Sequence, residues 1–336
     1  MTADQERRSR LLSLKLRALV RGHLGLDADP PSVVHPYGAG AALVTDDAVW
    51  VLAEGDDTRA LGPALAWAMS RAPGLPLNLV TEGDGAVAAR RAELFDADIH
   101  VWRAVERDLV AALPGPHAPV RSVDARHVGL MHLIEEAGAE VVLEHGVVSG
   151  EVRGLEMCRV VDDPHTGEAR LEVGMGAHDR EAFAMVHGQL PTLDALRQVI
   201  DAVLPHREDG AVPHPFNRFS AERLLRWYAV QDPRSVGCEA LVPAEPPVPR
   251  TNLKDAVPCV AMGIDGDGNS VAVTFVVGVD LDAVPFALDA ADRLRADRTV
   301  LAMRERDVTA SVRALAGLAH MQPEIVTVRW PIAATP

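Results

Sequence analysis

Between residues 4 and 25 apolar side chains return at helical spacing. Leu12, Leu16, Leu19 and Val20 share one face, and Arg8, Lys15, Arg17 and Arg21 lie elsewhere, which predicts an amphipathic helix. Gly22 and Gly25 suit its end, and a proline-rich stretch follows at 29–36. The period then changes. Residues 41–45 and 49–53 are short apolar runs around Asp46-Asp47, read as two strands joined by a turn. A helix is predicted over 58–71, a strand over 77–80, a helix over 86–95 and a strand over 99–102. A run from 258 to 330 repeats this order. It reads as strands 259–264 and 271–277 around a turn at 265–269, helix 281–295, strand 299–303, helix 308–320 and strand 325–328.

Details repeat too. Pro63 and Pro285 sit near the starts of the corresponding helices, where a fixed φ and a missing N–H are tolerated. Glu82-Gly83-Asp84 and Glu305-Arg306-Asp307 precede the next helices, and acidic residues favour a helix N-terminus. The expectation is a degenerate internal duplication. The alternative is that two generic β-α-β-α-β units look alike because few folds exist. The region between them differs. A helix is expected over 123–138, then strands 139–144, 151–161 and 169–173, then helices 179–187 and 193–204. Proline dominates 205–215 and 243–258, which read as linkers or wrapping segments; between them Ser220 is placed to cap a helix through Trp227. The expected fold class is α/β. Two related β-β-α-β-α-β units carry mostly parallel sheets flanked by helices, with an α-β-β-β-α insertion. Domains are expected at 1–118 and 119–336, the second divided into 119–205, 206–257 and 258–330.

The chain has 336 residues, which suits about two domains. Its 48% hydrophobic content supports a core, and only 4% is aromatic, so Val, Leu and Ala must fill it. A net charge of −15 sets the surface against phosphate backbones and anionic membranes, so nucleic acid is not an expected partner. No apolar run approaches the roughly 18 residues that span a bilayer, and Lys15, Arg17 and Arg21 interrupt the first apolar stretch, unlike a signal peptide. Cys158, Cys238 and Cys259 are far apart with no C-x-x-C, as expected of reduced thiols in the cytoplasm.

The most site-like segment runs from Leu171 to Glu181. A strand enters Gly174-x-Gly176 and then a helix carrying His178 and Arg180. Glycines permit close backbone approach, and a helix start offers free N–H groups to an anion. Asp179 replaces the third glycine of a dinucleotide fingerprint, so a tight turn capped by Asp179 is the preferred reading.

A second constellation is acidic: Glu135 and Glu136 on a helix, Glu151, Glu156 and Glu172 on strands. This order of elements and carboxylates, over about 123–204, resembles the PD-(D/E)XK nuclease fold. The resemblance implies Glu135, Glu156 and Glu172 as ligands of a Mg or Mn ion that activates water for phosphodiester cleavage, with Glu172 and Arg180 as catalytic groups. The lysine of that family's E-x-K motif corresponds to Gly174.

Other signals read as structure. Asp265-x-Asp267-x-Asn269 opens like a calcium loop but has Ser270 and Val276 where glycine and glutamate belong, so it reads as a hairpin turn. His127, His132 and His214 form no zinc pattern. Lys254 lies in a proline-flanked segment read as linker, and the basic N-terminal helix is read as packing on its own domain. The leading expectation is a non-catalytic or catalytically degenerate protein that acts through a protein partner or self-association and binds no cofactor. The alternative is the metal-dependent phosphodiesterase.

Overall fold

A computed structural model of the chain describes residues 3–38, 40–175, 192–249 and 256–333. Helix α1 (Ala3–His23) forms where the leucine spacing places it. Leu12, Leu16, Leu19 and Val20 are buried, and Leu11 and Leu14 stay exposed. A six-stranded sheet follows in sequential order: β1 (Val33–Tyr37), β2 (Gly40–Val44), β3 (Val49–Ala53), β4 (Leu77–Thr81), β5 (Ile99–Val105) and β6 (Asp108–Ala111). The pairs β1/β2, β2/β3 and β5/β6 are antiparallel. The pairs β3/β4 and β4/β5 are parallel, connected by α2 (Leu61–Arg71) and α3 (Ala86–Ala92). Side chains alternate across a strand, so the sheet needs two covers. Trp50, Leu52 and Val80 cluster with the leucines of α1. Val49, Val51, Leu77 and Leu79, on the other face, are equally buried; α2 packs on β3 and β4, and α3 on β5.

Next come the short helices α4 (Ala125–Val128) and α5 (Met131–Glu136). Strands β7 (Glu140–Glu144), β8 (Val147–Val152), β9 (Leu155–Asp162) and β10 (Ala169–Val173) make a four-stranded antiparallel meander. Helix α6 (Thr192–Val203) follows, and its Leu196, Ile200 and Val203 share a core with Ile134, Met157 and Leu171. Two hairpin turns of this sheet, His145-Gly146 and Arg153-Gly154, have all four residues at positive φ, as the mirror-image two-residue turn requires.

The third sheet is again sequential: β11 (Ala240–Ala244), β12 (Cys259–Ile264), β13 (Ser270–Val276), β14 (Arg298–Met303) and β15 (Glu324–Thr327). Its pairs run antiparallel, antiparallel, parallel, parallel, the same senses in the same order as β1 to β5. Helix α7 (Ala221–Gln231) packs Leu225 and Ala229 on one face, against Val271, Val273 and Phe275. Helices α8 (Ala283–Leu294) and α9 (Ala310–Gly317) connect the parallel strands.

The chain divides into two compact units. One comprises Met1–His117, Val279–Asp289 and Val308–Pro323, and the other Ala118–Gly278, Ala290–Asp307 and Glu324–Pro336. The first holds the six-stranded sheet, α1 to α3, α9 and the start of α8; the second holds the other two sheets.

The α/β class stands, but the flanking sheets are mixed rather than mostly parallel. Short turns, such as that between Val44 and Val49, force antiparallel pairing. β1 and β11 lie in stretches whose prolines read as breakers, yet Pro36 and Pro243 sit in edge strands, where a missing N–H is tolerated. The insertion has four strands, not three, because Arg153-Gly154 turns the chain inside the expected strand 151–161. The helix expected at 179–187 lies outside the described residues. Among the described residues, no helix is long and apolar enough to cross a membrane.

Candidate functional site

The sequence-predicted carboxylates are dispersed and mostly occupied. Glu135 is exposed on α5. Glu136 meets Arg197 at 3.3 Å. Glu156 on β9 is held by both arms of Arg159, at 3.1 and 2.9 Å. Glu172 on β10 bonds Arg170 at 2.7 Å. Glu151 bonds Arg223. Among the described residues, no three His, Cys, Asp or Glu side chains stand where they could hold a metal ion, so Glu135, Glu156 and Glu172 do not assemble as a ligand set. Of the anion-site residues, Gly174 ends β10 at φ 136° and its amide donates to the Met157 carbonyl at 2.7 Å. Gly176, His178 and Arg180 lie outside the described residues, as does Lys254.

The residues read as structural are engaged in structure. Asp265 accepts from the Asn269 side-chain amide, from Arg298 and from the backbone amides of Asn269 and Asp267, which tightens the turn into β13 and holds its carboxyl well below the usual range. His214 accepts from the Phe216 amide at 3.3 Å, and His132 contacts the Gly129 carbonyl at 2.8 Å.

In α/β sheets, ligands bind beyond the C-terminal ends of parallel strands, where the strand order reverses. Neither mixed sheet has such a reversal. In the first, the Asp57 carboxylate after β3 accepts from the Gly85 amide after β4 at 3.0 Å. A Cβ on Gly83 would stand 2.3 Å from that carboxylate. In the third sheet the Gly278 amide after β13 donates to Asp307, after β14, at 2.8 Å. The same two loops are tied in each, with donor and acceptor exchanged.

The most unusual chemistry is buried. The sequence of α3, Ala-Val-Ala-Ala-Arg-Arg-Ala, places Arg90 and Arg91 in its last turn, where cations suit the helix dipole. Arg90 donates to both oxygens of Asp289 on α8, at 2.8 and 3.0 Å. Arg91, 1% exposed, donates to Asp289 at 3.0 Å and to Asp282 at 2.7 Å. Asp282 also accepts from the Gly62 amide at 3.2 Å. Burial pushes the Asp289 carboxyl up, but the hydrogen bonds of Arg90 and the charge of Arg91 outweigh that and hold it below its ordinary value. For Asp282, burial outweighs the lowering by Arg91, and its carboxyl is pushed up to about 6. Tyr37 is pushed upward by burial and by Asp282. Nearby, Arg59 pairs with Asp280 at 2.7 Å.

A second network lies in the other unit. Arg223 and Arg226, one turn apart on α7, share Glu144 of β7 and Glu151 of β8. Burial pushes Glu144 up, but the two guanidinium groups prevail and hold it down to about 2. Cys259 is fully buried, and its thiol is pushed up to about 12.

Sequence reading missed both networks, because it places arginine and aspartate on the solvent side of a helix. The available signal was charge inside runs of small residues: Arg90-Arg91 after Ala88-Ala89, and Asp289 between Leu288 and Ala290. In each network the buried arginines are matched to buried carboxylates, with further donors to backbone carbonyls such as Thr58 and Val260, and removing one partner of such a pair is costly. No family model matches the chain, and no curated protein or solved structure matches it at a significant level.

Proposed function

We propose that this chain is a non-catalytic protein, built from an internal duplication, that acts through contacts with protein surfaces. The duplication is supported by the shared pairing senses of β1 to β5 and β11 to β15. It is supported further by a helix in front of each set, α1 and α7, packed on its own sheet. Proline is third in both α2 and α8 and fourth in both β1 and β11.

One observation carries the non-catalytic reading. The loops beyond the parallel strands, where an α/β protein places its chemistry, are bonded to each other through Asp57–Gly85 and Asp307–Gly278. Apolar side chains in water, such as Leu11 and Leu14 beside exposed Arg7 and Arg10 on α1, suit protein contact.

The test is hydrolysis of a chromogenic phosphodiester and of single- and double-stranded nucleic acid with Mg or Mn present. Wild type, Glu156→Ala and Glu172→Ala are expected to match the blank. A metal-dependent rate in the wild type that either substitution abolishes overturns the proposal in favour of the phosphodiesterase.

A further inference from the structure

The chain leaves α6 through the turn Leu204–His206 and comes back at His214. There the two imidazoles lie face to face, with ring centroids 3.7 Å apart and planes 12° apart. The Phe216 ring lies against both, at 5.8 and 4.7 Å. His214 Nδ1 accepts from the Phe216 amide at 3.3 Å, so the proton of its neutral ring sits on Nε2. Asn217 spans the pair: its side chain accepts from the His214 amide and donates to the His206 carbonyl.

The stack closes the loop 207–213, and that loop holds the segment 329–333. The Gly210 amide donates to the Pro331 carbonyl at 2.8 Å, and the Ala333 amide to the Ala211 carbonyl at 3.0 Å. Arg329 pairs with Asp209 at 2.6 Å. Trp330, in the same segment, packs on the core of the third sheet with Arg304 over its ring.

We propose that the His206–His214 stack is a pH latch, closed while both rings are neutral, and that its opening in mild acid frees residues 207–213 and 329–333 and uncovers the Trp330 side of the third sheet. A proton on His214 Nδ1 meets the Phe216 N–H and removes its acceptor. A second proton, on His206, sets two cations 3.7 Å apart, where like charges repel. Burial and the charge of His206 both push the His214 imidazole below its ordinary value. The open form therefore takes up its proton first as pH falls. Closure is complete above the ordinary histidine value of about 6.5 and is lost below it. The other charges around the pair are engaged elsewhere. Arg207 donates to the carbonyls of Arg153, Phe216 and Phe219. Arg153 stands over Trp227, 3.9 Å from Glu208, and Arg218 is exposed. Among the described residues neither ring has a carboxylate partner.

Hydrogen exchange of the full chain, read by mass spectrometry and normalised to the intrinsic rate, tests this at about pH 8 and about pH 5. Protection over 207–213 and 329–333 is expected to fall by about tenfold at the lower pH, and protection over β12 to stay unchanged. His214→Asn keeps a side-chain acceptor for the Phe216 amide and is expected to abolish the change. His206→Phe keeps a flat ring without a charge; it is expected to weaken the change and to raise the NMR titration midpoint of His214, which a merely structural ring would not move. Should the asparagine variant fail to fold, that midpoint decides. Equal wild-type protection at both pH values overturns the proposal. So does a pH change that survives His214→Asn, or a His214 midpoint that His206→Phe leaves in place.

Discussion

Replacing Arg91 with methionine keeps most of its volume and removes the cation between Asp282 and Asp289. The two carboxylates then fare differently. Asp289 keeps both bonds from Arg90, at 2.8 and 3.0 Å. Asp282, fully enclosed, keeps the Gly62 amide at 3.2 Å and loses its guanidinium partner. Removing one partner of a buried ion pair destabilises by about 3–5 kcal/mol, chiefly through the charge left behind. That charge can be neutralised by a proton. Asp282 stands at about 6 in the folded wild type and at about 3.9 in an unfolded chain. Its folded value is raised, so the native state takes up the proton first as pH falls. The group's contribution to stability therefore grows from pH 6 down to about 4, by about 3 kcal/mol in all. Without Arg91 its carboxyl rises further, and the window moves to higher pH. Urea unfolding followed by tryptophan fluorescence, at about pH 8 and about pH 5, measures this. Arg91→Met is expected to lose about 3–5 kcal/mol at the higher pH and clearly less at the lower. Adding Asp282→Asn should restore part of the loss. A deficit below about 1 kcal/mol, or one equal at both pH values, refutes the argument.

Gly62→Ala in α2 should reverse the propensity rule. Alanine normally gains about 1 kcal/mol in a helix, but here its Cβ would stand 2.1 Å from the Leu281 carbonyl oxygen, and a fall in melting temperature equivalent to about 1–3 kcal/mol is expected; a rise would contradict the close approach. Glu144→Gln should flatten the acid limb of stability. The wild-type carboxylate is held down to about 2, so its contribution is present above the ordinary carboxylate range and is lost as pH falls toward 2. Thermal melts across acid pH that leave the two proteins parallel would count against the role of Arg223 and Arg226. The native protein should add no mass when treated with iodoacetamide, because Cys158, Cys238 and Cys259 are all buried and burial raises the Cys238 and Cys259 thiols. Prompt alkylation before unfolding would contradict that burial.

Much of the fold was legible. The strand at 49–53 appears where its short apolar run placed it, and 259–264 likewise. Pro63 and Pro285 sit in the first turns of their helices. β1 and β11 escaped notice because proline is a local sign of interruption, whereas its tolerance depends on whether a neighbour pairs on that side. The acidic constellation showed the reverse failure. Carboxylates at suggestive spacing found arginines instead of one another, and Glu151 belongs to a pairing with Arg223 that sequence order does not display.

Sequence alone determined which stretches are helix or strand in the two mixed sheets, the turns at 46–47 and 265–269 and which faces are apolar, since these follow from neighbours within one or two turns of chain. It determined the acidic surface as well. Tertiary structure alone decided the partners of the buried charges and which strand ends each sheet. Arg91 and Asp282 are 191 positions apart, and their pairing is set by desolvation and by the geometry of α3 against the start of α8. No local pattern encodes either, because burial and strand order are properties of the assembled layers.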